Sequence, residues 1–331
     1  MLNKLFSRQD FINKSIIKFL GIKITISKPQ DKIYADNIEW YKQNWGNFPN
    51  TYVNEYRNLI AGLDNESCFT VSKILKRIRA LKRKDFKQKF DFTKYEKDIY
   101  ELIQQKLNKQ ITYLGNQVWA YKDHLLYEGL FESGIFYYDC YTKCLENIKY
   151  FCSKDIIDAG AYVGDSSLVL SKLTTKNVYA FEPVKKTYDA MKKILELNKT
   201  KNIIPINMGL GDSITHLPLT SETSMGASFL NKTENDIPTE ITTLDNFVER
   251  NNIEVGLIKV DIEGFEQQLL KGAYNTICKY KPTLLISIYH NYNDFFEIKP
   301  LIESWNLGYK FKIRKAVDND IVRDTMLICE Q

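Results

Sequence analysis

From Asp155 to the C terminus, short apolar runs alternate with amphipathic helical patterns, and this alternation constrains the fold more than any other feature of the chain. The runs Asp155 to Asp158, Asn177 to Phe181, Ile203 to Ile206, Val255 to Val260 and Thr283 to Tyr289 read as strands. Between or after them, Ser166 to Lys172, Tyr188 to Leu197, Leu244 to Arg250, Phe265 to Cys278 and Ile298 to Trp305 read as helices, with Pro300 in the first turn of the last. Strands that alternate with helices and are apolar throughout belong to a mostly parallel sheet covered on both faces. The last two runs, Tyr309 to Ile313 and Thr325 to Cys329, are separated only by the polar stretch Lys315 to Asp324. They are expected to pair antiparallel at the sheet edge. Thr215 to Thr239 is polar and irregular, the kind of long connection that often binds a ligand.

The first half has a different texture. Phe69, Val71, Ile74, Leu75, Ile78 and Leu81 form an apolar stripe at helical spacing. Thr93 and Glu96 have capping-box spacing ahead of a second stripe, Tyr95, Ile99, Leu102, Ile103 and Leu107. Residues 1 to about 65 are read as short helices and loops. The expected division is a helical N-terminal region, 1–118, serving the substrate side or oligomerisation, followed by a catalytic domain, 119–331.

Composition excludes several classes. In 331 residues, hydrophobic residues are 44% and charged residues 26%, so a sizeable core is available and disorder is excluded. The stretch Ile16 to Ile26 is interrupted by Lys18 and Lys23 and is too short to span a bilayer. With no signal peptide at Met1 to Asp10, the expected location is cytoplasmic. Six cysteines without a CxxC pair, and three histidines, argue for free buried thiols in a reducing compartment, not a structural zinc site. Residues 71–110 hold 13 Lys/Arg against 5 Asp/Glu. Such a block can face an acidic partner, though a solvated helix face is the simpler account.

Four segments carry chemistry. In Asp155-Ile-Ile-Asp-Ala-Gly-Ala-Tyr-Val-Gly-Asp-Ser-Ser167, a strand runs into a glycine turn and a helix. Gly160 allows the tight turn, Gly164 a close helix or ligand approach, and Asp158 can accept from a ligand ammonium or hydroxyl. Tyr162 and Asp165 stand where a dinucleotide fingerprint needs glycine, which disfavours a nicotinamide oxidoreductase. Glu182 follows at the end of the next strand, in Tyr179-Ala-Phe-Glu-Pro183, where an acid accepts from ribose hydroxyls. Pro183 stops that strand. Turn and acid together point to a nucleoside ligand. In Leu257-Ile-Lys-Val-Asp-Ile-Glu-Gly-Phe-Glu266, Lys259, Asp261 and Glu263 alternate onto one side of a strand end. They are either a catalytic cluster or a mutual salt-bridge network, and Glu266 can complement a helix dipole. His290 ends the next strand, as a base or a metal ligand.

These segments, with Met208-Gly-Leu-Gly-Asp212, Thr243-Leu-Asp-Asn-Phe247 and Leu270-Lys-Gly-Ala273, resemble the FkbM-type methyltransferase family over about residues 150–331. The resemblance implies a Rossmann-like, seven-stranded α/β sheet, mostly parallel with an antiparallel edge strand, and a helical N-terminal extension. It also implies S-adenosylmethionine as cofactor and a hydroxyl acceptor, often on a sugar. Asp158, Gly160, Ala161, Tyr162, Gly164, Ser166, Glu182, Pro183, Met208 and Gly209 would be the cofactor residues. Lys259, Asp261, Glu263 and His290 would be catalytic. In that reading His290 is a neutral base, oriented by Asp261 and Glu263, or the three bind Mg²⁺ or Mn²⁺. His124 and Tyr137-Tyr138-Asp139 would cap the substrate side. The acceptor is a small molecule or glycan, a nucleotide-linked or surface-polysaccharide sugar, with no nucleic acid and no membrane span. A non-catalytic glycan- or nucleic-acid-binding module on the same fold is the alternative the basic block supports.

Overall fold

The computed structural model describes residues 38–85, 89–219 and 237–331, and, of the first 37, the strands 6–10, 14–19, 22–27 and 32–33. Most of the polar connection after Thr215, including Ser221, Thr223, Ser224, Gly226, Ser228 and Asn231, lies outside the described residues, as does Phe86. The N-terminal strands β1 (Phe6–Asp10), β2 (Lys14–Phe19) and β3 (Ile22–Ser27) pair antiparallel in sequence order. This corrects the reading of short helices and loops. Ile22 to Ile26 alternates β-branched residues with polar ones, the period of a strand. A short strand β4 (Lys32–Ile33) follows.

The helical part of the extension is α1 (Ile38–Trp45), α2 (Val53–Ile60), α3 (Asn65–Arg83) and, after the two-residue strand β5 (Phe90–Asp91), α4 (Lys94–Lys106). Asp64 caps α3 by accepting the Ser67 N–H at 2.7 Å, and the Thr93–Glu96 capping box opens α4. Val71, Ile74, Leu75, Ile78 and Leu81 are buried, but Phe69 is 60% exposed and lies off the stripe. Strands β6 (Thr112–Gly115), β7 (Val118–Tyr121) and β8 (His124–Tyr127) then form an antiparallel meander that the sequence reading did not assign. Asn116 and Gln117, both at positive φ, make the two-residue turn between the first two. A single helical turn, α5 (Ser133–Phe136), leads to the main sheet.

That sheet starts with β9 (Asp155–Ala159), α6 (Asp165–Leu170), β10 (Val178–Phe181), α7 (Lys185–Leu197) and β11 (Ile203–Ile206). A side sheet of β12 (Gly209–Leu210), β13 (Thr215–Leu219) and β14 (Ile237–Thr242) interrupts it, so both ends of the stretch read as irregular are strands. The chain continues with α8 (Leu244–Asn251), β15 (Val255–Val260), α9 (Glu266–Gly272), α10 (Tyr274–Tyr280), β16 (Thr283–Ser287), α11 (Tyr292–Ser304), β17 (Lys310–Lys315) and β18 (Thr325–Glu330). The strand order is β11-β10-β9-β15-β16-β18-β17, and β18 alone runs antiparallel to both neighbours. The seven-stranded, mostly parallel reading therefore holds.

Two helical expectations change. The run Phe265 to Cys278 is two helices, broken at Ala273. There Gly272 packs so closely that a Cβ would sit 1.9 Å from the Gly211 carbonyl oxygen. The last helix begins at Tyr292, because the Asn291 side chain accepts the Asp294 N–H at 2.9 Å. Pro300 is thus inside the helix and not in its first turn.

Alternation along β9 sends Ile156 to one face of the sheet and Ile157 to the other, and each face has its own core. Tyr41, Trp45, Phe48, Ile74 and Ile78 from α1 to α3 and the loop after α1 share one core with Ile258, Ile286 and Leu327. Ile103, Leu107 and Tyr121 share the other with Ile156, Leu257 and Leu285. Part of the basic block is turned inward. Arg77 grips Glu96 with both nitrogens at 2.7 and 2.8 Å, and Lys73 reaches it at 3.0 Å. Burial alone would raise the Glu96 carboxyl, but Arg77, Thr93 and Lys73 hold it far below the usual range. Glu96→Ala strands Arg77 without its partner, and urea denaturation should show a loss of about 3–5 kcal/mol. A loss below about 1 kcal/mol would mean that this pair does not lock α4 to α3.

Candidate active site

A cavity of about 500 Å³ opens at the carboxyl ends of β9, β10, β15 and β16. The chain leaves β9 for β10 on one side and finds β15 on the other, and this divergence opens a ligand crevice. Gly160 makes the turn at φ +78°, and a Cβ there would lie 1.8 Å from the Asp261 carbonyl oxygen, so no other residue fits. Tyr162 also has positive φ and donates its N–H to Glu182 at 3.1 Å. Glu182 accepts a second N–H, from Val184, at 2.9 Å, and its burial raises the carboxyl to about 7. Gly160, Tyr162, Ser166, Glu182, Pro183 and Met208 line the cavity, with Gly209 beside them.

Asp158, Ala161 and Gly164 do not line it. Asp158 is wholly buried, with Ser166 and Ser167 donating at 2.7 and 2.6 Å and Lys259 at 3.0 Å. Its carboxylate is committed inside the protein, which corrects the expected contact with a ligand. Gly164 caps α6 at φ +85°, where a Cβ would meet Met191 of α7 at 3.0 Å, so its role is packing. Lys259 also donates to the Gly160 carbonyl at 3.0 Å. Burial would lower its pKa, but Asp158 overrides this and raises it, leaving a locked cation that exchanges no proton near neutrality.

At the opposite wall the parallel pairing of β15 and β16 brings Asp261, Glu263 and His290 together as expected. His290 Nε2 is 3.5 Å from Asp261 and 3.6 Å from Glu263. The nearest partner is one the sequence reading left to a helix dipole. Glu266, wholly buried, sits 2.9 Å from His290 Nδ1 and accepts the Ile262 N–H. Its spacing of one helical turn from Glu263 was the available signal. Burial alone would lower the imidazole pKa, but Glu266, then Glu263 and Asp261, push it up to about 10. That direction favours the charged ring at neutral pH and weighs against the expected neutral base. Asp261, Glu266 and His290 each have a ligand atom within 4.8 Å of the others, so the geometric cluster holds Glu266 where the expected set had Glu263, and a divalent cation there would have to displace the ring proton.

The remaining wall was missed. Trp40 and Tyr41 of α1, Glu132 and Cys140 around α5, and Asp320, Arg323 and Asp324 before β18 all face the cavity. Tyr41 donates to Asp320 at 2.6 Å. Asp165 lines it too, raised to about 6 by burial. His124 and the Tyr137-Tyr138-Asp139 run do not. His124 packs on Phe136 and lies 3.0 Å from Lys172, and burial lowers its pKa to about 4. Tyr138 accepts the Val317 N–H at 3.1 Å. Carboxylates dominate the lining, and its cations are Lys259, His290 and Arg323. All six cysteines are free thiols, but only Cys140 and Cys329 are buried. Among the described residues no helix is long and apolar enough to cross a membrane.

Residues 158–311 match the family model of the methyltransferase FkbM domain. The chain carries an FkbM methyltransferase domain. Over 83% of this chain and 58% of the other, the fold is similar to the crystal structure of methyltransferase FkbM from Methylobacillus flagellatus, with TM-score 0.55 and 20% identity. Methyltransferase 1 of Beauveria bassiana is 26% identical over 187 residues, 49% of this chain and 75% of the relative. Hexuronic acid methyltransferase AglP of Haloferax volcanii is 28% identical over 122 residues, 36% of this chain. This chain spans only half of that relative's length.

Three carboxylates around the His290 ring favour a charged imidazole at the cavity wall, and this can be tested. Nitrogen-15 NMR at pH 8 should find both His290 ring nitrogens protonated. A neutral ring at that pH would remove the ion-pair description. A raised pKa also fixes the sign of the stability effect. The contribution of His290 is complete below about 6.5, the imidazole's unfolded value, and is lost as pH rises through about 10.

Proposed function

We propose that this methyltransferase uses S-adenosylmethionine to methylate a sugar hydroxyl, on a nucleotide-linked sugar or a polysaccharide unit. The observation that carries the reading is the acidic lining of a cavity at the switch point of the sheet. The donor is a sulfonium with an ammonium group, and carboxylates outnumbering cations favour it. The cofactor supplies an activated methyl group, displaced in line. The protein has only to bind, orient, exclude water and take a proton.

Glu182 is assigned to the ribose diol. Its two backbone donors hold both carboxylate oxygens in place and leave further lone pairs facing the cavity. Gly160, Tyr162, Ser166, Pro183, Met208 and Gly209 are assigned to the same ligand. His290 acts as a positioning residue whose charge keeps Asp261 and Glu263 at the wall. Trp40 suits the acceptor side, where a flat ring covers the apolar face of a sugar, with Tyr41 buried behind it. In this assignment 119–331 carries the cofactor and 1–118 adds an acceptor wall. The sugar reading is supported by the Haloferax relative, named for hexuronic acid. A nucleic-acid acceptor is less well supported, because Arg77 and Lys73 of the basic block are spent on Glu96.

S-adenosylhomocysteine formation with UDP-glucuronic acid and other UDP-sugars tests the activity. Glu182→Ala removes charge-assisted acceptors worth roughly 1.5–3 kcal/mol each. Calorimetry should show S-adenosylmethionine affinity falling at least about tenfold, with circular dichroism unchanged. Because the ionised carboxylate is the binding form, wild-type affinity should strengthen as pH rises through about 7. A folded variant with unaltered affinity would remove Glu182 from the ribose.

A further inference from the structure

With His290 charged and Lys259 locked, the cavity still needs a group to take the hydroxyl proton. Most of its carboxyls are already engaged. Asp165 accepts the Ser166 N–H, Glu182 accepts two N–H groups, and Asp320 accepts from Tyr41, Val322 and Arg323. Asp261 accepts from Tyr289 at 3.2 Å and, with Glu263, flanks His290. Glu132 and Asp324 differ. Both line the cavity, and among the described residues no donor reaches either carboxyl group.

The two are brought together by segments far apart in sequence. Glu132 stands at the start of α5, exposed to the cavity. Asp324 sits at positive φ just before β18, its carboxyl against Gly134 of α5, where a Cβ would lie 3.0 Å from Oδ2. The Tyr141 hydroxyl and the Ala316 N–H both hold the Asp324 carbonyl, fixing the loop.

We propose that Glu132 is the general base of methyl transfer, with Asp324 beside it at the α5 corner of the cavity. The assignment rests on the methyltransferase reading above and adds the residue that completes it. The Glu132 carboxylate takes the proton of the acceptor hydroxyl as that oxygen bonds the methyl carbon. The carbon–sulfur bond breaks and its electron pair stays on sulfur, leaving a neutral thioether. The proton then passes from Glu132 to water.

The electrostatics suit this role. Although the Glu132 side chain is open to the cavity, the protein packed around it desolvates the carboxyl and raises it to about 7, with Asp165 and Asp261 raising it further and Arg323 and Lys259 opposing. Burial likewise raises Asp324 to about 7, with Glu132 and Asp261 adding to it and Lys315 and Arg323 opposing. A carboxyl poised there is basic enough to accept a proton and still partly ionised at neutral pH.

Two measurements test the proposal. Infrared difference spectra of protein labelled with carbon-13 glutamate, with Glu132→Gln as the blank, should show one carboxyl titrating near 7. Titration near the ordinary value, about 4.5, overturns the proposal whatever the acceptor. With UDP-glucuronic acid and UDP-glucose as probes, Glu132→Gln should lower kcat by about 10²–10⁴-fold and leave S-adenosylmethionine affinity unchanged. Glu132→Asp should recover part of the rate. Wild-type activity should rise with pH through about 7, and Asp324→Asn should move that limb to lower pH. A fully active Glu132→Gln enzyme overturns the base alone. A wild type that methylates neither probe overturns the sugar reading, and the base assigned within it falls too.

Discussion

The arrangement of this molecule depends on a buried ion pair. Lys259 of β15 reaches across to Asp158 of β9, and the same Asp158 holds Ser166 and Ser167 at the start of α6. Two central strands and one helix are therefore tied at one carboxylate, directly under the turn at Gly160. Breaking such a pair leaves an uncompensated buried charge, typically at a cost of about 3–5 kcal/mol, so the local geometry has little freedom. The Lys259 bond to the Gly160 carbonyl then fixes the turn itself. From that point Tyr162 finds Glu182, and Asp261 follows β15 toward His290.

The cavity walls come from three parts of the chain that only tertiary packing unites. The strand ends form the floor, α1 supplies Trp40 and Tyr41, and the loop before β18 meets the segment around α5. The N-terminal helices are packed into the sheet's own core, through Trp45, Phe48 and Ile74. Trp45 also donates to the Tyr289 carbonyl at 3.2 Å, next to His290. Removing these helices would strip the apolar cover from one face of the sheet as well as a wall of the site.

What could be read from the sequence follows from the range of the forces involved. The strands of the sheet were legible because β9, β15 and β16 are buried along nearly their whole length and read as short, mostly apolar runs, with Asp158 and Lys259 as the polar exceptions. The Thr93 capping box was legible because it is local. The juxtaposition of Asp261 with His290 was legible because parallel neighbours align their carboxyl ends. The commitment of Asp158 to Lys259 was not, since the partner lies 101 residues away. Glu132 and Asp324 gave no signal, because no local pattern surrounds either and only the fold makes them neighbours. The ionisation of His290 was hidden for a similar reason. Two carboxylates were visible, but the third, Glu266, decides its charge from inside a helix start.

These placements separate two kinds of charge in one cavity. Lys259 and His290 are bound to carboxylates on the protein side, which favours their charged forms. Glu182, Glu132 and Asp324 are instead held by burial near the pH at which they change state. Fixed pairs preserve shape, while carboxyls near their midpoint respond to whatever positive charge arrives. In the proposed reaction a cationic donor would stabilise their ionised forms as it binds. Loss of the methyl group would remove that positive charge, so the lining would attract the product less than the donor. The same acidic lining can therefore favour binding before the reaction and release after it, without any movement of the sheet.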